Sequence, residues 1–464
     1  MKQSIVTVFF LLFASHLAAW GQTPDDIAAV GLPVLHIETI GAEEPTCDYV
    51  DAPEGAFGHS IANATKVPGR LVITLRADTL YDSGDYEKNV SGMTVKIRGN
   101  TSAYYWDKKP YKIKLQQKED LLFRTDGRNH RDKNWLLLHE GSINLKTTAA
   151  LKVSELMGME WTPAYQYVNV YMNGQFRGVY MLIEAVEQNN SARVAVDKNS
   201  GYIIECDAYW WNEKVWFEDQ QQRYYTFKYP DDDDVTEAQK DYIQAVVDTM
   251  VASIDSGTYE QYIDLDSWTR WLLCHDILGT YDTAGSNIFL TKHDTTSQSK
   301  LKMGPPWDFD SIERRSETFS SIFYSDLFVF NRLIHNVNPA FTRAYCRLWE
   351  HVIDSLFSRM DSFLVAYGAS DEAQRLQQAR VYEEQFMDTL IYVSDDIAAQ
   401  RSWFSRRREV LSALIGNLAA SVSVASLPAE PVKRQHRDYT LMGTPVPEGY
   451  RGIIVRNGKK YVLR

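Results

Sequence analysis

The chain of 464 residues is poor in several things at once, and each shortage closes a class of function. It has 4 cysteines, Cys47, Cys206, Cys274 and Cys346, with no Cys-x-x-Cys pair among them. That spacing excludes the usual structural zinc sites. It leaves any disulfide pattern open, since four cysteines allow three pairings. Cys274, within a helix-like apolar run from Trp268 to Ile277, reads as a buried free thiol. Glycine (25) and proline (15) are too few for a collagen or a low-complexity linker. Positive charge is short as well: 49 Lys and Arg against 61 Asp and Glu give a net charge of −12. A general nucleic-acid partner is therefore not expected, because phosphate binding needs a cationic surface to release counterions. Beyond the first twenty residues no apolar run is long enough to span a bilayer, so no transmembrane segment is expected.

The amino terminus does carry one apolar run, Ile5 to Ala19, after Lys2 and before the small residues Ala19 and Gly21. This is the order of a secretory signal peptide over residues 1–21, and it predicts an exported protein, secreted, periplasmic or held at the cell surface. Hydrophobic residues make up 44% of the chain and charged ones 24%, the balance of an ordinary folded domain.

Residues 22–69 read as an N-terminal β leader and residues 70–185 as a β-rich lobe with one helix. Leu71–Leu75, Met93–Ile97 and Tyr111–Leu115 have strand patterning. Val168–Met172 and Phe176–Ile183 flank Asn173-Gly174, the dipeptide suited to a type I′ hairpin turn. Leu145–Met157 has helical spacing. After a short strand at Gly201–Cys206 the chain turns mainly helical over 186–425, with helices around 236–256, 264–280, 338–366 and 370–420 and a β insert at 287–303. Four acids, Asp231–Asp234, suggest calcium, but they precede Thr236-x-x-Gln239, a capping-box spacing, and acids suit a helix start. Residues 426–464 read as a linker and a terminal hairpin around Asn457-Gly458. They resemble C-terminal sorting tails of exported bacterial proteins, and a plain docked hairpin is the alternative.

The stretch from Cys274 to Asp310 carries the chemistry. Asp282 enters a loop of small residues, and Asn287 follows five positions later. A β-hairpin then leads to Trp307-Asp308-Phe309. Phosphoryl transfer needs a carboxylate aimed at the attacking hydroxyl and hard oxygen ligands for magnesium, and protein kinases supply them in this order. Asp282 is the candidate base, and Asn287 with Asp308 the candidate metal ligands. Each element alone is common; a capped turn at Asp282 and an Asx turn at Asp308 are the plain alternatives.

Upstream, Arg98-Gly99-Asn100-Thr101-Ser102 lies between two strands, where a glycine lets backbone N–H groups approach phosphate. Alternation places Lys112 and Lys114 on one face of their strand. Lys114 is the first choice for the phosphate lysine because it sits deeper in the strand; two solvent-facing lysines are the alternative.

RGNTS, KKPYKIKL, VYMNGQFRGVYMLIE, YDTAGSN and GPPWDFDS occur in an order that resembles the spore-coat protein H (CotH) kinase-like family, from about residue 70 to 315 and more loosely to 420. The resemblance implies an α+β, divergent two-lobed protein-kinase-like fold with a small C-terminal β tail. It also implies ATP with Mg²⁺ or Mn²⁺ as cofactors, and transfer of phosphate to Ser/Thr-rich protein partners. The family's metal Asp falls on Asp308, its loop Asp and Asn on Asp282 and Asn287, its Arg-Gly-Asn turn on Arg98, Gly99 and Asn100, and its lysine on Lys112 or Lys114.

There are departures. Lys146-Thr147 stands where many relatives carry Arg-Asn, and Ile312–Arg315 replaces a glycine-rich continuation. No secure helix Glu pairs with the lysine, Glu155 being a spatial guess. Glu184 falls at the hinge position. Tyr104, Tyr105 and Trp106 read as packing, with stacking on a base or a peptide as the alternative. Two other outcomes stay open: a surface binding or structural protein on a kinase-like scaffold with little catalysis, and transfer of AMP in place of phosphate. Oligomeric state is not legible.

Overall fold

A computed structural model describes residues 23–139, 145–280, 286–309, 328–383, 386, 392–425, 439–440, 451–456 and 459–463. The signal-like segment 1–21 and Asp282 lie outside these residues.

Thr23 caps the short helix α1 (Pro24–Val30) in a reciprocal capping box. Ten strands follow before residue 185: β1 (Val34–Thr39), β2 (Asp48–Asp51), β3 (His59–Ala62), β4 (Val67–Leu75), β5 (Asp78–Asp82), β6 (Met93–Ile97), β7 (Tyr111–Glu119), β8 (Asp132–Leu138), β9 (Tyr165–Met172) and β10 (Gln175–Glu184). Helices α2 (Thr101–Tyr105) and α3 (Lys146–Leu156) interrupt them.

Eight strands form one sheet in the order β1-β9-β10-β8-β7-β6-β4-β5, and β1 also pairs with β4. Seven strands thereby close into a barrel-like ring, with β5 outside it beside β4. Residues 22–69, read from the sequence as an N-terminal β leader, take part in this pairing. β1 lies parallel to β9 (Val34↔Asn169) and antiparallel to β4 (Val34↔Thr74), so the leader supplies the closing strand. The single helix expected over 70–185 is two, because α2 is too short to show a helical period in the sequence.

Alternation fills the ring and decides which residues face out. Met93, Val95 and Ile97 of β6 and Tyr111, Ile113 and Leu115 of β7 are buried. Lys96, Lys112 and Lys114 fall between them on the outer face. β9 and β10 form the hairpin read from the sequence, with Asn173 (φ 52°) and Gly174 (φ 76°) both left-handed as a type I′ turn requires.

A second sheet of five strands has the order β12-β13-β11-β14-β15. It comprises β11 (Tyr202–Cys206), β12 (Trp216–Glu218), β13 (Tyr224–Tyr229), β14 (Ile288–Lys292) and β15 (Lys302–Met303). The sequence reading recognised β11 and the β14–β15 hairpin but not β12 and β13. Tyr224–Tyr229 is aromatic and buried at three successive positions, so it lacks the alternation of a half-exposed strand.

The helices are α4 (Glu237–Ser256), α5 (Leu265–Leu278), α6 (Phe330–Ile334), α7 (Ala340–Gly368), α8 (Asp371–Arg380) and α9 (Val393–Ala425). Thr236 and Gln239 make the capping box at the start of α4. The helix expected over 370–420 is two, α8 and α9. All four cysteines are free thiols. Among the described residues no helix is long and apolar enough to cross a membrane.

The chain divides into two compact units, residues 1–418 and 419–464. In the second, β17 (Gly452–Arg456) and β18 (Lys459–Leu463) form the expected hairpin, joined by β16 (Tyr439–Thr440).

Candidate active site

A cleft of about 1610 Å³ opens between the outer face of the barrel and the second sheet. Its barrel wall is the face of β6, β7 and β8 that carries Lys96, Lys112, Lys114 and Leu136. The opposite wall carries Glu205, Asp207, Lys228, Asn287 and Asp308. Residues 185–187, just after β10, line the cleft between the walls.

Asp308 sits in a left-handed conformation (φ 60°) between the buried Trp307 and Phe309. Phe309 stacks on His275 of α5 at 6.3 Å. The aromatic anchors bury themselves on either side of the turn, and Asp308 lines the cleft. Asn287, also left-handed (φ 63°), donates from Nδ2 to Asp308 Oδ2 at 3.1 Å. Asn and Asp tolerate this region better than most residues, and such backbone strain gathers at functional sites.

Glu205 of β11 fixes Asn287 by accepting its backbone N–H at 3.1 Å. The sequence reading did not single out Glu205; an acid in the apolar strand Gly201–Cys206 was the available signal. Burial pushes its carboxyl up to about 7, Lys228 at 3.0 Å pulls it down, and Asp207 adds to the rise. Burial would lower Lys228 in turn, but Glu205, Asp207 and Glu213 outweigh it and hold the ammonium charged. Asp207 is occupied by the protein, accepting from Tyr209 N at 2.8 Å, Thr226 Oγ1 at 3.2 Å and Ser286 Oγ at 3.4 Å. Thr280, bonded to His275 Nδ1 at 3.0 Å, and Ser286 are the described residues on either side of the segment that holds Asp282 in the sequence.

Across the cleft, burial lowers the Arg98 pKa while Asp308 and Glu205 pull it back up, so the guanidinium lies within electrostatic reach of the candidate metal ligands. Gly99 has φ 98°, and a Cβ there would lie 2.7 Å from Ser102 Oγ, so this turn requires glycine. Asn100 lines the cleft, but its Oδ1 accepts from Ser60 Oγ at 2.7 Å, which ties it to β3. Thr101, Ser102 and Thr147 line the cleft too.

The lysines reverse the expected depth. Lys114 is exposed, whereas Lys112 is half-buried and pairs with Glu187 at 3.1 Å. Strand position does not reveal what covers the outer face, and here the cover lies over Lys112. Glu155 is not its partner: it is 59% exposed on α3 and pairs with Lys152 at 2.8 Å. Glu184 is buried against Arg124 (2.7 Å) and Ala164 N (2.9 Å), a structural anchor one residue before the cleft-lining segment. Tyr105 and Trp106, expected to pack inside, are 59% and 48% exposed.

The family model for CotH kinase protein matches residues 95–409. The chain belongs to the CotH kinase family. The CotH span holds every described residue named above on the two cleft walls, from Lys96 to Asp308. Among solved structures, the Helicobacter pylori proinflammatory kinase CtkA aligns over 67% of this chain and 95% of its own, at 9% identity and a TM-score of 0.32. A likeness that low carries no argument about fold or activity. No curated protein matches the chain.

Kinase-like proteins of this kind use ATP and a divalent metal, and the donor set fits such a metal. Asp308 and Asn287 bring a carboxylate and an amide together, oxygen donors that suit a hard cation. Among the described residues no three His, Cys, Asp or Glu side chains form a metal cage.

Proposed function

We propose that this CotH chain is an atypical protein Ser/Thr kinase, exported from the cell, which transfers the γ-phosphate of ATP to secreted or surface protein partners. The carrying observation is the Asn287–Asp308 pair facing a wall of outward lysines across one cleft. In this reading the barrel is the N-terminal lobe, the second sheet and the helices are the C-terminal lobe, and residues 185–187 are the hinge between them.

Asp308 and Asn287 would hold Mg²⁺ or Mn²⁺, which when bound neutralises phosphate charge. Lys112, Lys114, Arg98 and the Gly99–Ser102 turn hold the phosphates. Asp282 takes the proton from the acceptor hydroxyl as its oxygen forms the new P–O bond and the bond to the β-phosphate breaks, releasing ADP. Glu205 is a positioning residue that keeps Asn287 in its left-handed turn.

Full-length protein freed of residues 1–21, incubated with γ-labelled ATP and Mn²⁺ or Mg²⁺, is expected to label itself or a Ser-rich peptide. Labelling that survives Asp308→Ala unchanged would overturn the assignment. Mass spectrometry of the modified residue separates phosphate from AMP.

A second reading, a binding or structural protein with weak catalysis, is favoured by one observation: α3 offers Lys112 no acid, because Glu155 points its charge to Lys152. ATP with metal raising the unfolding midpoint, in the absence of any labelling, is the outcome that selects a nucleotide-binding form of this reading. No stabilisation by ATP with metal selects the plain scaffold.

A further inference from the structure

β6 and β7 pair antiparallel with Lys96 directly opposite Lys112 and Thr94 opposite Lys114. Residues opposite each other in such a pair share a face, and like charges there repel. Arg98, two positions beyond Lys96, also lines the cleft. Four cations therefore crowd one patch of the barrel wall, in a protein whose net charge is −12.

The protein answers two of these charges. Lys112 has Glu187 at 3.1 Å, and Arg98 has the pull of Asp308 and Glu205. Lys114 is exposed and has water. Lys96 is half-buried, and among the described residues no carboxylate lies within ion-pair distance of it. Burial lowers its pKa, Lys112, Lys66 and Arg98 lower it further, and Glu213 opposes them. Lysines are seldom buried without a partner.

We propose that Lys96, two residues before the Arg98–Ser102 motif, is a phosphate-binding residue of the cleft and shares one phosphate group of the nucleotide with Lys112. The inference rests on the kinase reading of this cleft and adds a residue to it. The anion lies between two strands whose cross-strand repulsion it cancels, so ligand binding relieves a strain built into the empty wall.

The test pairs two readouts on the full chain, with Lys96→Gln and Lys96→Arg measured against wild type. One readout is ATP affinity by titration calorimetry with Mn²⁺; the other is the unfolding midpoint without ligand. Lys96→Gln is expected to weaken ATP at least tenfold while its ligand-free midpoint holds or rises, and Lys96→Arg is expected to retain binding. Inorganic tripolyphosphate should show the same loss as ATP, since the contact is to phosphate. Unchanged ATP affinity in Lys96→Gln overturns the inference alone. A lowered ligand-free midpoint in Lys96→Gln also overturns it, since that marks a structural lysine. Wild type that binds no ATP overturns both the inference and the kinase reading beneath it.

Discussion

Charges are buried in two places in this molecule, and they are treated differently. In the scaffold several buried charges meet their opposites. Lys108 lies 2.6 Å from Glu383 and 2.7 Å from the Val179 carbonyl, joining β10 to the turn after α8. Arg124 bridges Asp120 (2.8 Å) and Glu184 (2.7 Å), and Arg380 meets Asp396 at 2.8 Å. In the cleft, lysine stands opposite lysine, and a carboxylate is held in a strained turn beside an amide. Those scaffold charges are paired within the chain, whereas in the cleft Lys112 and Lys228 are paired but Lys96 and Lys114 have no carboxylate at ion-pair distance among the described residues. Perturbed, poorly compensated groups gathered in a cleft are the physical mark of a site.

The comparison breaks if the two regions respond alike to mutation. The largest effect belongs to the scaffold. Glu383→Gln strands the buried Lys108 ammonium and should cost about 3–5 kcal/mol of stability in urea unfolding. A loss under 1 kcal/mol would mean that the pair is no more than an exposed contact. Asp308→Ala should do the opposite, lowering phosphotransfer by about 10²–10³-fold, in the range seen when one transition-state contact is removed, with the midpoint nearly unchanged.

Acid should expose the scaffold next. Burial holds His275 down to about 3 from 6.5, so the folded protein keeps it neutral where the unfolded chain takes up a proton. Its contribution is complete above pH 6.5 and is lost as pH falls toward 3. His275→Gln should therefore flatten the stability profile, by about 1–2 kcal/mol between pH 7 and pH 5. An unaltered slope would contradict the assignment. Smallest is Glu187→Gln: its pair with Lys112 is partly exposed, so stability should change by less than about 1 kcal/mol. Nucleotide affinity should nonetheless shift measurably in titration.

The sequence revealed those parts whose cause is local. Met93–Ile97 and Tyr111–Leu115 alternate, Asn173-Gly174 turns, and Thr236 with Gln239 caps α4, each within a few residues. Asn287 and Asp308 were read as partners from the order of a loop, a hairpin and an Asp-Phe, and they lie 3.1 Å apart. Closure of the barrel was not readable, because β1 must find β9 more than 130 residues away. Nor was the role of Lys96: alternation shows that it faces outward, but only the register of β6 on β7 shows that it faces Lys112. Glu187 as the partner of Lys112 was hidden for the same reason, since Glu155 occupied the helix where an acid was sought. Asp282, the proposed base, lies outside the described residues and rests on motif order alone.

The central claim is that the cleft binds a metal-bound nucleotide between Asp308 and Asn287 on one wall and the lysines on the other. Titration calorimetry of the full chain with ATP, with and without Mn²⁺, tests it most directly in wild type and Asp308→Ala. The account predicts saturable binding in wild type that Mn²⁺ strengthens, and loss of that metal enhancement in Asp308→Ala at an unchanged unfolding midpoint. Metal enhancement that persists in Asp308→Ala, or wild type that binds no ATP at all, would contradict it.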